Sequence, residues 1–257
     1  MPLDHLSLAT VPITPYFNQS SMPGATGFIW KRRERFYLIT NWHVASATHL
    51  FTGRLLLKGG MRPNQFQCQF IVRVGNYERE TIDIPVRDEN DEPLWLVHPA
   101  RGMRRVDIVA LPLDADALRS RVTLLAVNEL APGKLAIRVG MEVFILGYPF
   151  GSGPPAFPVW KRGSIASEPD LVMLTTGYYL IDTASRPGMS GSPVVLRSWS
   201  NHVMDSNNWI ATTDGPIDRV IGVYSGRKDN APAEAQIGMV WHVDYIDDII
   251  DGHVRDT

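Results

Sequence analysis

The sequence predicts an all-β fold built from many short strands. Its 257 residues include 21 glycines and 19 prolines, which interrupt short apolar segments along the whole chain. Closely spaced turn residues of this kind are typical of small barrels and sandwiches. The chain has no repeat or low-complexity tract, and it is long enough for one large all-β domain or for two small barrels that share a cleft.

Individual segments support this fold class. Residues 67–74, 93–97 and 139–146 are rich in apolar and β-branched side chains, as strands are, and the polar cluster 88–92 indicates a turn before the second of them. The basic run 31–35 lies between two apolar segments. We therefore interpret it as a solvated hairpin tip rather than a binding patch.

The end of the chain predicts a short helix over residues 245–251. Ile246, Ile249 and Ile250 would share one face, and Gly252 would follow the last turn. We expect this helix to have a structural role, packed on the second barrel.

Composition restricts the class of protein. The formal net charge of −2 gives no general footprint for nucleic acid, so we expect no nucleic-acid partner. No apolar run reaches the roughly 18 residues that a membrane span needs, and the first residues lack a charged leader before an apolar segment. We expect neither a membrane anchor nor a signal peptide.

Cysteine and histidine usage gives two further expectations. The single Cys68 cannot form an internal disulfide, which favours a reducing, cytoplasmic location. The seven histidines are scattered without a close ligand pair, so we expect no metal and no cofactor.

The most informative motif surrounds Ser190, in the sequence Arg-Pro-Gly-Met-Ser-Gly-Ser-Pro of residues 186–193. Gly188 and Gly191 have no side chain and therefore permit a sharp turn that leaves the Ser190 hydroxyl exposed. In such a turn the N–H groups of Gly188 and Ser190 can converge on one point. We predict that Ser190 is a nucleophile and that these two donors form an oxyanion hole.

A serine nucleophile needs a base and an orienting carboxylate. His43 ends an apolar segment, residues 37–42, and is followed by small residues that could begin a helical turn. Asp107 is the only charged residue in the apolar run 106–113. The chain order His43, Asp107, Ser190 is one of the three orders found among unrelated serine hydrolase triads.

Each block by itself has a plainer explanation. A glycine-bounded serine is often only a turn, a histidine after a strand is often a core residue, and an aspartate at a strand start is often a cap. An α/β-hydrolase is disfavoured because Ser192 stands where its nucleophile motif needs glycine. The other candidate bases do not lie at a comparable strand end; they are His49, His98, His202 and His242.

With these three blocks the chain resembles the chymotrypsin-like (trypsin-fold) serine peptidases. It is most similar to their disulfide-free bacterial branch, the HtrA-like and glutamyl-endopeptidase-like enzymes. The turn at 147–151 and the segment 238–243 also match, and the likeness covers roughly residues 20 to 250. The resemblance implies two six-stranded antiparallel β-barrels, with the active site in the cleft between them and a short C-terminal helix.

The resemblance also implies a division of labour. The N-terminal barrel, residues 1–120, would supply His43 and Asp107, and the C-terminal barrel with the helix, residues 121–257, would supply Ser190. It further places several side chains at the substrate site, where Ser225 would support the triad aspartate. Besides Ser225, these residues are Ala184, Ser185, Gly226, Arg227 and Gly238.

Two departures from the digestive members of the family matter. Met189 stands where those enzymes carry the aspartate that pairs with a new N-terminal amine, and a thioether cannot form that ion pair. We therefore predict no trypsin-style zymogen activation, with the loop ordered as synthesised, by a partner, or by a displaced surface loop. Ala184 replaces the aspartate that selects lysine or arginine, so that preference is not expected.

The pocket itself stays open at this point. Ser185 matches a small hydroxyl residue of glutamyl endopeptidases, but their pocket histidine is replaced by Tyr224. Arg227 either narrows the pocket to small side chains, favours an acidic one, or points to solvent. The segment 197–218 is long for a hairpin connection and suits a lid or a partner-binding loop.

Together these features predict a serine endopeptidase that acts on protein or peptide substrates through an acyl-enzyme. One version of this prediction is a regulated protease with a stress or defence role. The alternative is a peptide- or protein-binding module on the same fold, with weak catalysis or catalysis that depends on an activating protein partner. The same machinery would also hydrolyse small esters incidentally.

Overall fold

A computed structural model describes residues 3–75, 78–100, 105–149, 151, 157–184, 186–205, 209–227 and 236–257. In this part of the chain, most of the regular structure is antiparallel β-sheet. None of its helices has the length and apolar character that a membrane span requires.

The N-terminal part forms a nine-stranded antiparallel sheet within the described residues. Its strands are β1 (Thr10–Phe17), β2 (Ser20–Ser21), β3 (Ala25–Arg32), β4 (Arg35–Thr40), β5 (Gln65–Ile71), β6 (Arg79–Pro85), β7 (Leu96–Val97), β8 (Val109–Pro112) and β17 (Val254–Arg255). The order is β17-β7-β8-β4-β3-β1-β5-β6, with β2 paired to β1.

The C-terminal part forms a closed six-stranded barrel in the order β10-β11-β16-β15-β12-β9, as far as the structure describes it. Its strands are β9 (Glu142–Gly147), β10 (Val159–Ile165), β11 (Tyr178–Asp182), β12 (Pro193–Ser198), β15 (Ile217–Arg227) and β16 (Ile237–His242). A separate hairpin of β13 (His202–Val203) and β14 (Ile210–Ala211) lies in the long connection between β12 and β15.

The helices are short and lie at the connections. They are α1 (His5–Ala9), α2 (Trp42–Ser46), α3 (Ala115–Arg119), α4 (Val127–Leu130), α5 (Pro169–Thr175) and α6 (Asp244–Gly252), with a 3-10 turn at Lys58–Gly60. Asp4 caps α1 by accepting a hydrogen bond from the Leu6 N–H over 2.9 Å.

Three apolar clusters hold these elements together. Phe66 of β5 and Leu111 of β8 share one cluster, so the first sheet curls until its distant strands enclose a common core. Ile145 and Val240 belong to a second cluster inside the closed barrel. The third cluster joins the two halves and includes Trp241 and residues of α6. Burial of this third cluster fixes how the halves face each other.

The all-β fold with two barrels and a C-terminal helix is confirmed, with one difference in detail. The second barrel closes with six strands, whereas the first is a curled sheet whose strand path ends at β17 and β6. The predicted hairpin tip is also confirmed, because Arg33 and Glu34 both adopt positive φ between β3 and β4.

The helix α6 packs on the second barrel as predicted, with the Tyr245 ring 6.3 Å from the Trp241 ring of β16, and on the first sheet as well. It contacts β7 and β8 of the first sheet, and its Asp247 accepts a hydrogen bond from the Trp30 indole over 3.0 Å. Gly252 lies inside the helix, and His253 takes the left-handed capping conformation with φ of 51°. A Cβ on Gly252 would approach Pro99 to 2.9 Å, so close packing on the first sheet explains the glycine.

Candidate active site

The site begins where β4 ends and α2 begins. The apolar strand β4 stops at Thr40, and His43 lies in the first turn of α2. Its side chain is 22% exposed, so the ring is held by the protein on one side and open on the other. The short helix therefore presents His43 at the surface between the two halves.

Asp107 binds His43 through both carboxylate oxygens. Oδ2 lies 2.7 Å from Nδ1 of the ring, and Oδ1 accepts a hydrogen bond from the His43 backbone N–H over 2.9 Å. The Asp107 side chain is 2% exposed. Since a buried carboxylate needs partners, this arrangement fixes the orientation of the ring and leaves Nε2 as its outward nitrogen.

Two further side chains hold Asp107. The Ser225 hydroxyl donates to Oδ2, as the resemblance implied. The Asn41 amide donates to the Asp107 backbone carbonyl over 2.7 Å, and Asn41 is completely buried. Sequence reasoning missed Asn41, because nothing in the sequence shows that a residue two positions before His43 also contacts the segment of Asp107, which precedes β8.

Ser190 lies on the loop that leads into β12. Its carbonyl accepts a hydrogen bond from the Thr26 N–H over 2.8 Å, and the Gly191 N–H donates to the Tyr224 carbonyl over 2.9 Å. A Cβ on Gly226 would lie 3.9 Å from the Ser190 hydroxyl oxygen, and Gly226 follows Ser225. The loop thus places the Ser190 hydroxyl near Gly226, the chain neighbour of the residue that holds Asp107.

The glycine at 191 is required by close backbone approach. Its φ is 84°, and a Cβ there would lie 2.0 Å from the Thr26 carbonyl oxygen. No other residue fits this position without displacing β3, which explains why glycine follows the serine.

The segment Arg186 to Met189 forms a tight turn. The Met189 N–H donates to the Arg186 carbonyl over 3.3 Å, and Gly188 has φ of 92°. Positive φ at the third residue, with proline as the second, is the signature of a type II turn. A type I turn would rotate the Pro187–Gly188 peptide to the opposite orientation, so the turn type decides where the Gly188 N–H points.

The candidate pocket residues lie on β15, β16 and the segment after β11. The Tyr224 ring is buried against Gly238, where a Cβ would come within 2.6 Å of the ring and 3.3 Å of Ile181. Ala184 is partly buried. Ser185 lies outside the described residues. The aromatic ring therefore fills space beside Gly238.

A cavity of about 260 Å³ opens on the other side of His43. Its lining is mixed: besides His43 it includes the polar or charged His49, Asp107, Ser225 and the exposed Arg227, and the apolar Leu50, Phe51, Leu56 and Met239. Sequence reasoning missed the first three of these apolar residues, because the chain between α2 and β5 carries no motif that marks it as part of a cleft; Met239 lies in β16.

The arrangement suits proton transfer to and from a serine hydroxyl. In the described part of the chain, no three histidine, cysteine or carboxylate side chains cluster as a metal site would need. The carboxylate–imidazole pair and the neighbouring serine are the groups on which chemistry can be based.

Comparisons with known proteins identify the family and the fold. The family model for the trypsin-like peptidase domain matches residues 25–203. The fold is similar to that of the HtrA-type protease AlgW in a serine-to-alanine form with a tripeptide, at 17% identity and a TM-score of 0.52, over 96% of this chain and 60% of that one. A serine endoprotease from Yersinia pestis is similar at 14% identity and a TM-score of 0.50, over 95% of this chain and 62% of that one.

This chain therefore spans about 60% of the length of these two structural relatives. At such low identity the likeness concerns the fold. No curated protein matches the sequence.

Proposed function

Because this chain belongs to the trypsin-like peptidase family and is a serine endopeptidase, we propose that it cleaves peptide bonds of protein substrates through a triad of Ser190, His43 and Asp107. The single observation that carries the proposal is the two-point contact of Asp107 with His43, at 2.7 Å to the ring and 2.9 Å to the backbone. A contact of this kind holds the imidazole in one tautomer and one orientation. We propose that an N-terminal unit, residues 1–120, supplies His43 and Asp107 and that a C-terminal unit, residues 121–257, supplies Ser190.

In this mechanism His43 Nε2 accepts the Ser190 proton as Oγ attacks the substrate carbonyl carbon. Asp107 accepts the hydrogen bond from Nδ1 and stabilises the imidazolium that forms. The tetrahedral intermediate then breaks its C–N bond, and His43 gives its proton to the leaving amine. Water attacks the resulting acyl-enzyme by the reverse roles, which releases the acid and restores Ser190.

The negative oxygen of the intermediate would be held by the N–H groups of Gly188 and Ser190. The type II turn that ends at Met189 supports this assignment, because it sets the orientation of the Pro187–Gly188 peptide, which carries the Gly188 N–H. Preorganised donors of this kind contribute roughly 10²- to 10³-fold to the rate.

We propose a preference for a small side chain immediately before the cleaved bond. Tyr224 lies against Gly238 and is 1% exposed, so its ring occupies volume that a large substrate side chain would need. Ala184 offers no charge for lysine or arginine. The proposed pocket is therefore small and uncharged.

Substrate backbone would pair with the end of β15. Within the described residues, Gly226 and Arg227 pair with β16 on one side only, which leaves their other edge for an added strand. The cavity of about 260 Å³ beside His43 would receive an apolar side chain one residue further from the cleaved bond. Arg227 at its rim would favour an acidic neighbour.

A stress or defence role, an activating partner and a cytoplasmic location are further proposals. The long segment between β12 and β15 presents Trp199 and Trp209, 61% and 53% exposed, as a partner surface would. Cys68 is completely buried and is a free thiol, which is compatible with a reducing compartment. Fractionation of the source cells would test the location.

The experiment that tests the triad is labelling with a fluorophosphonate probe, read by intact-protein mass. The wild type should gain the mass of one probe, and Ser190→Ala and His43→Ala should gain none. A folded wild type that stays unlabelled would refute constitutive catalysis and favour the binding-module alternative.

A further inference from the structure

We infer that Thr26 is a positioning residue: its hydroxyl holds the Gly188 carbonyl and thereby fixes the Gly188–Met189 peptide, which directly follows the proposed oxyanion donor. The inference rests on the proposed function, because it explains how the Gly188 donor is kept in place. Thr26 lies on β3 in the first half of the molecule, 162 residues before Gly188 in the chain. Nothing in the triad motif involves it.

The contact between the two residues is direct. The Thr26 hydroxyl donates to the Gly188 carbonyl oxygen over 2.7 Å. The same hydroxyl oxygen accepts a hydrogen bond from the Tyr148 N–H over 3.1 Å. Because a hydroxyl has one proton, the Tyr148 N–H on the acceptor side favours the orientation in which that proton points to Gly188.

The Thr26 backbone holds the next part of the loop. Its N–H donates to the Ser190 carbonyl over 2.8 Å, and its own carbonyl accepts a hydrogen bond from the Thr40 hydroxyl over 2.8 Å. Thr26 thus contacts the residues on both sides of Met189. The nucleophile and its neighbouring donor are held by a single residue.

Burial makes these contacts strong. Thr26 is completely buried and Gly188 is half-buried, so water has limited access to the hydrogen bond between them. A carbonyl in such a place loses stabilisation when its partner is removed. The turn therefore has a free-energy reason to keep the Gly188 carbonyl directed at Thr26.

In the digestive members of the family an ion pair restrains this loop, and Met189 cannot form it. We propose that the Thr26 hydroxyl restrains the loop instead. Met189 is 1% exposed and packs with the core of the closed barrel, so it contributes packing but no charge. Restraints on the turn that the structure describes include Pro187, the positive φ of Gly188 and the Thr26 hydroxyl. Of these, the hydroxyl is the one that couples the turn to the other half of the molecule.

The test compares Thr26→Val, which keeps the shape but removes the hydroxyl, with Thr26→Ser, which keeps the hydroxyl. Thr10→Val is the matched control, because Thr10 is also completely buried and its hydroxyl donates to the Leu6 carbonyl over 2.8 Å. For each variant, kcat and KM on a chromogenic peptide with alanine before the cleaved bond, and Tm, are measured.

We expect kcat of Thr26→Val to fall on the order of 10²-fold with KM changed by less than about threefold, since an oxyanion donor acts in the transition state. Thr26→Ser should recover most of kcat. Thr10→Val should lower Tm to a similar extent as Thr26→Val and leave kcat nearly unchanged. The inference is overturned if Thr26→Val matches Thr10→Val in kcat, or if Thr26→Ser is as impaired as Thr26→Val.

An inert wild type would refute the proposed function separately. In that case amide hydrogen exchange at Met189, measured by NMR, decides whether the hydroxyl holds the turn. Exchange of this N–H, which closes the turn onto Arg186, should be faster in Thr26→Val than in Thr26→Ser and Thr10→Val. Equal exchange rates in all three variants would overturn the inference.

Discussion

The Trp42 indole donates a hydrogen bond to the Asp256 carboxylate over 2.6 Å, although the two residues lie 214 positions apart in the chain. The Trp95 indole donates to the same oxygen over 3.0 Å. Asp256 is 9% exposed, and Trp42 immediately precedes His43 in α2. The segment after α6 therefore stabilises the short helix that carries the proposed base.

Asp256→Ala should destabilise the protein, because it leaves two buried indole N–H groups without this acceptor. Hydrogen bonds to a charged group contribute about 1.5–3 kcal/mol each, so we expect the free energy of unfolding to fall by about 3 kcal/mol. Urea unfolding measures the change. The control is Glu89→Ala at an exposed position, and equal stability of the two variants would contradict the proposed anchoring.

Met189→Asp should destabilise the loop rather than improve it. An aspartate at this buried position, 1% exposed, would be surrounded by the apolar core of the barrel. If the new carboxylate stays charged, we expect the free energy of unfolding to fall by several kcal/mol. Otherwise burial raises the pKa of this carboxyl until it is protonated and neutral. Met189→Leu conserves volume and should cost less than about 1.5 kcal/mol. Thermal unfolding compares them, and an Asp variant as stable as the Leu variant would show that a cation reaches this site.

Asp107→Asn should lower activity far more than stability explains. Loss of the carboxylate removes the group that orients His43, and in serine peptidases of this type the change costs about 10⁴-fold in kcat. Peptide hydrolysis measures the rate, and circular dichroism confirms folding. Asp116→Asn, an exposed carboxylate on α3, is the control. Activity within tenfold of wild type would exclude Asp107 from the triad.

Tyr224 should control the size of the accepted side chain. Tyr224→Val shortens the group that lies against Gly238, so hydrolysis should shift from peptides with alanine toward peptides with leucine before the cleaved bond. Tyr224→Phe keeps the ring and should keep the wild-type preference. Ratios of kcat/KM for the two peptides measure the shift. An unchanged ratio in the Val variant would place the pocket elsewhere.

His242 should make stability depend on pH. Burial lowers its pKa; the nearby Arg219 also lowers it, while the carboxylates of Asp244 and Asp248 act in the opposite direction. The Asp244 N–H donates to Nδ1 over 3.2 Å, which requires that nitrogen to be unprotonated. We therefore expect the neutral ring to dominate in the folded protein near pH 7.

The sign follows from proton linkage. In the unfolded chain His242 binds a proton below about pH 6.5, whereas its lowered pKa keeps it neutral to a lower pH in the folded protein. The free energy of unfolding therefore falls as the pH drops from about 6.5 toward the lowered folded pKa. Urea unfolding at pH 7 and pH 5 should show a smaller loss in His242→Gln than in the wild type. His5→Gln, an exposed control, should behave as wild type. An equal pH dependence in His242→Gln would contradict the burial effect.

Local signals in the sequence account for much of the candidate site. The apolar run before His43 predicts a strand, and the small residues after it predict the turn of α2, because both depend on neighbours within a few positions. The pair Gly188 and Gly191 indicates a sharp turn for the same reason. These interpretations succeed because hydrophobic periodicity and backbone sterics are local properties.

Contacts between distant segments could not be predicted in this way. Thr26 in β3 and Asn41 beside His43 carry no motif, yet both hold parts of the site through hydrogen bonds to remote backbone. The packing of α6 on the first sheet is of the same kind: its apolar face predicts a helix but not which surface covers it.

The sequence by itself determined the fold class, the order of the triad blocks and the turn chemistry around Ser190. Only the tertiary structure decided which residues support those blocks, that the Tyr224 ring fills space beside Gly238, and that the chain after α6 returns to the helix of His43. The physical reason is that backbone conformation is set mainly by neighbours in sequence, whereas burial and hydrogen-bond partners depend on segments that meet only after folding.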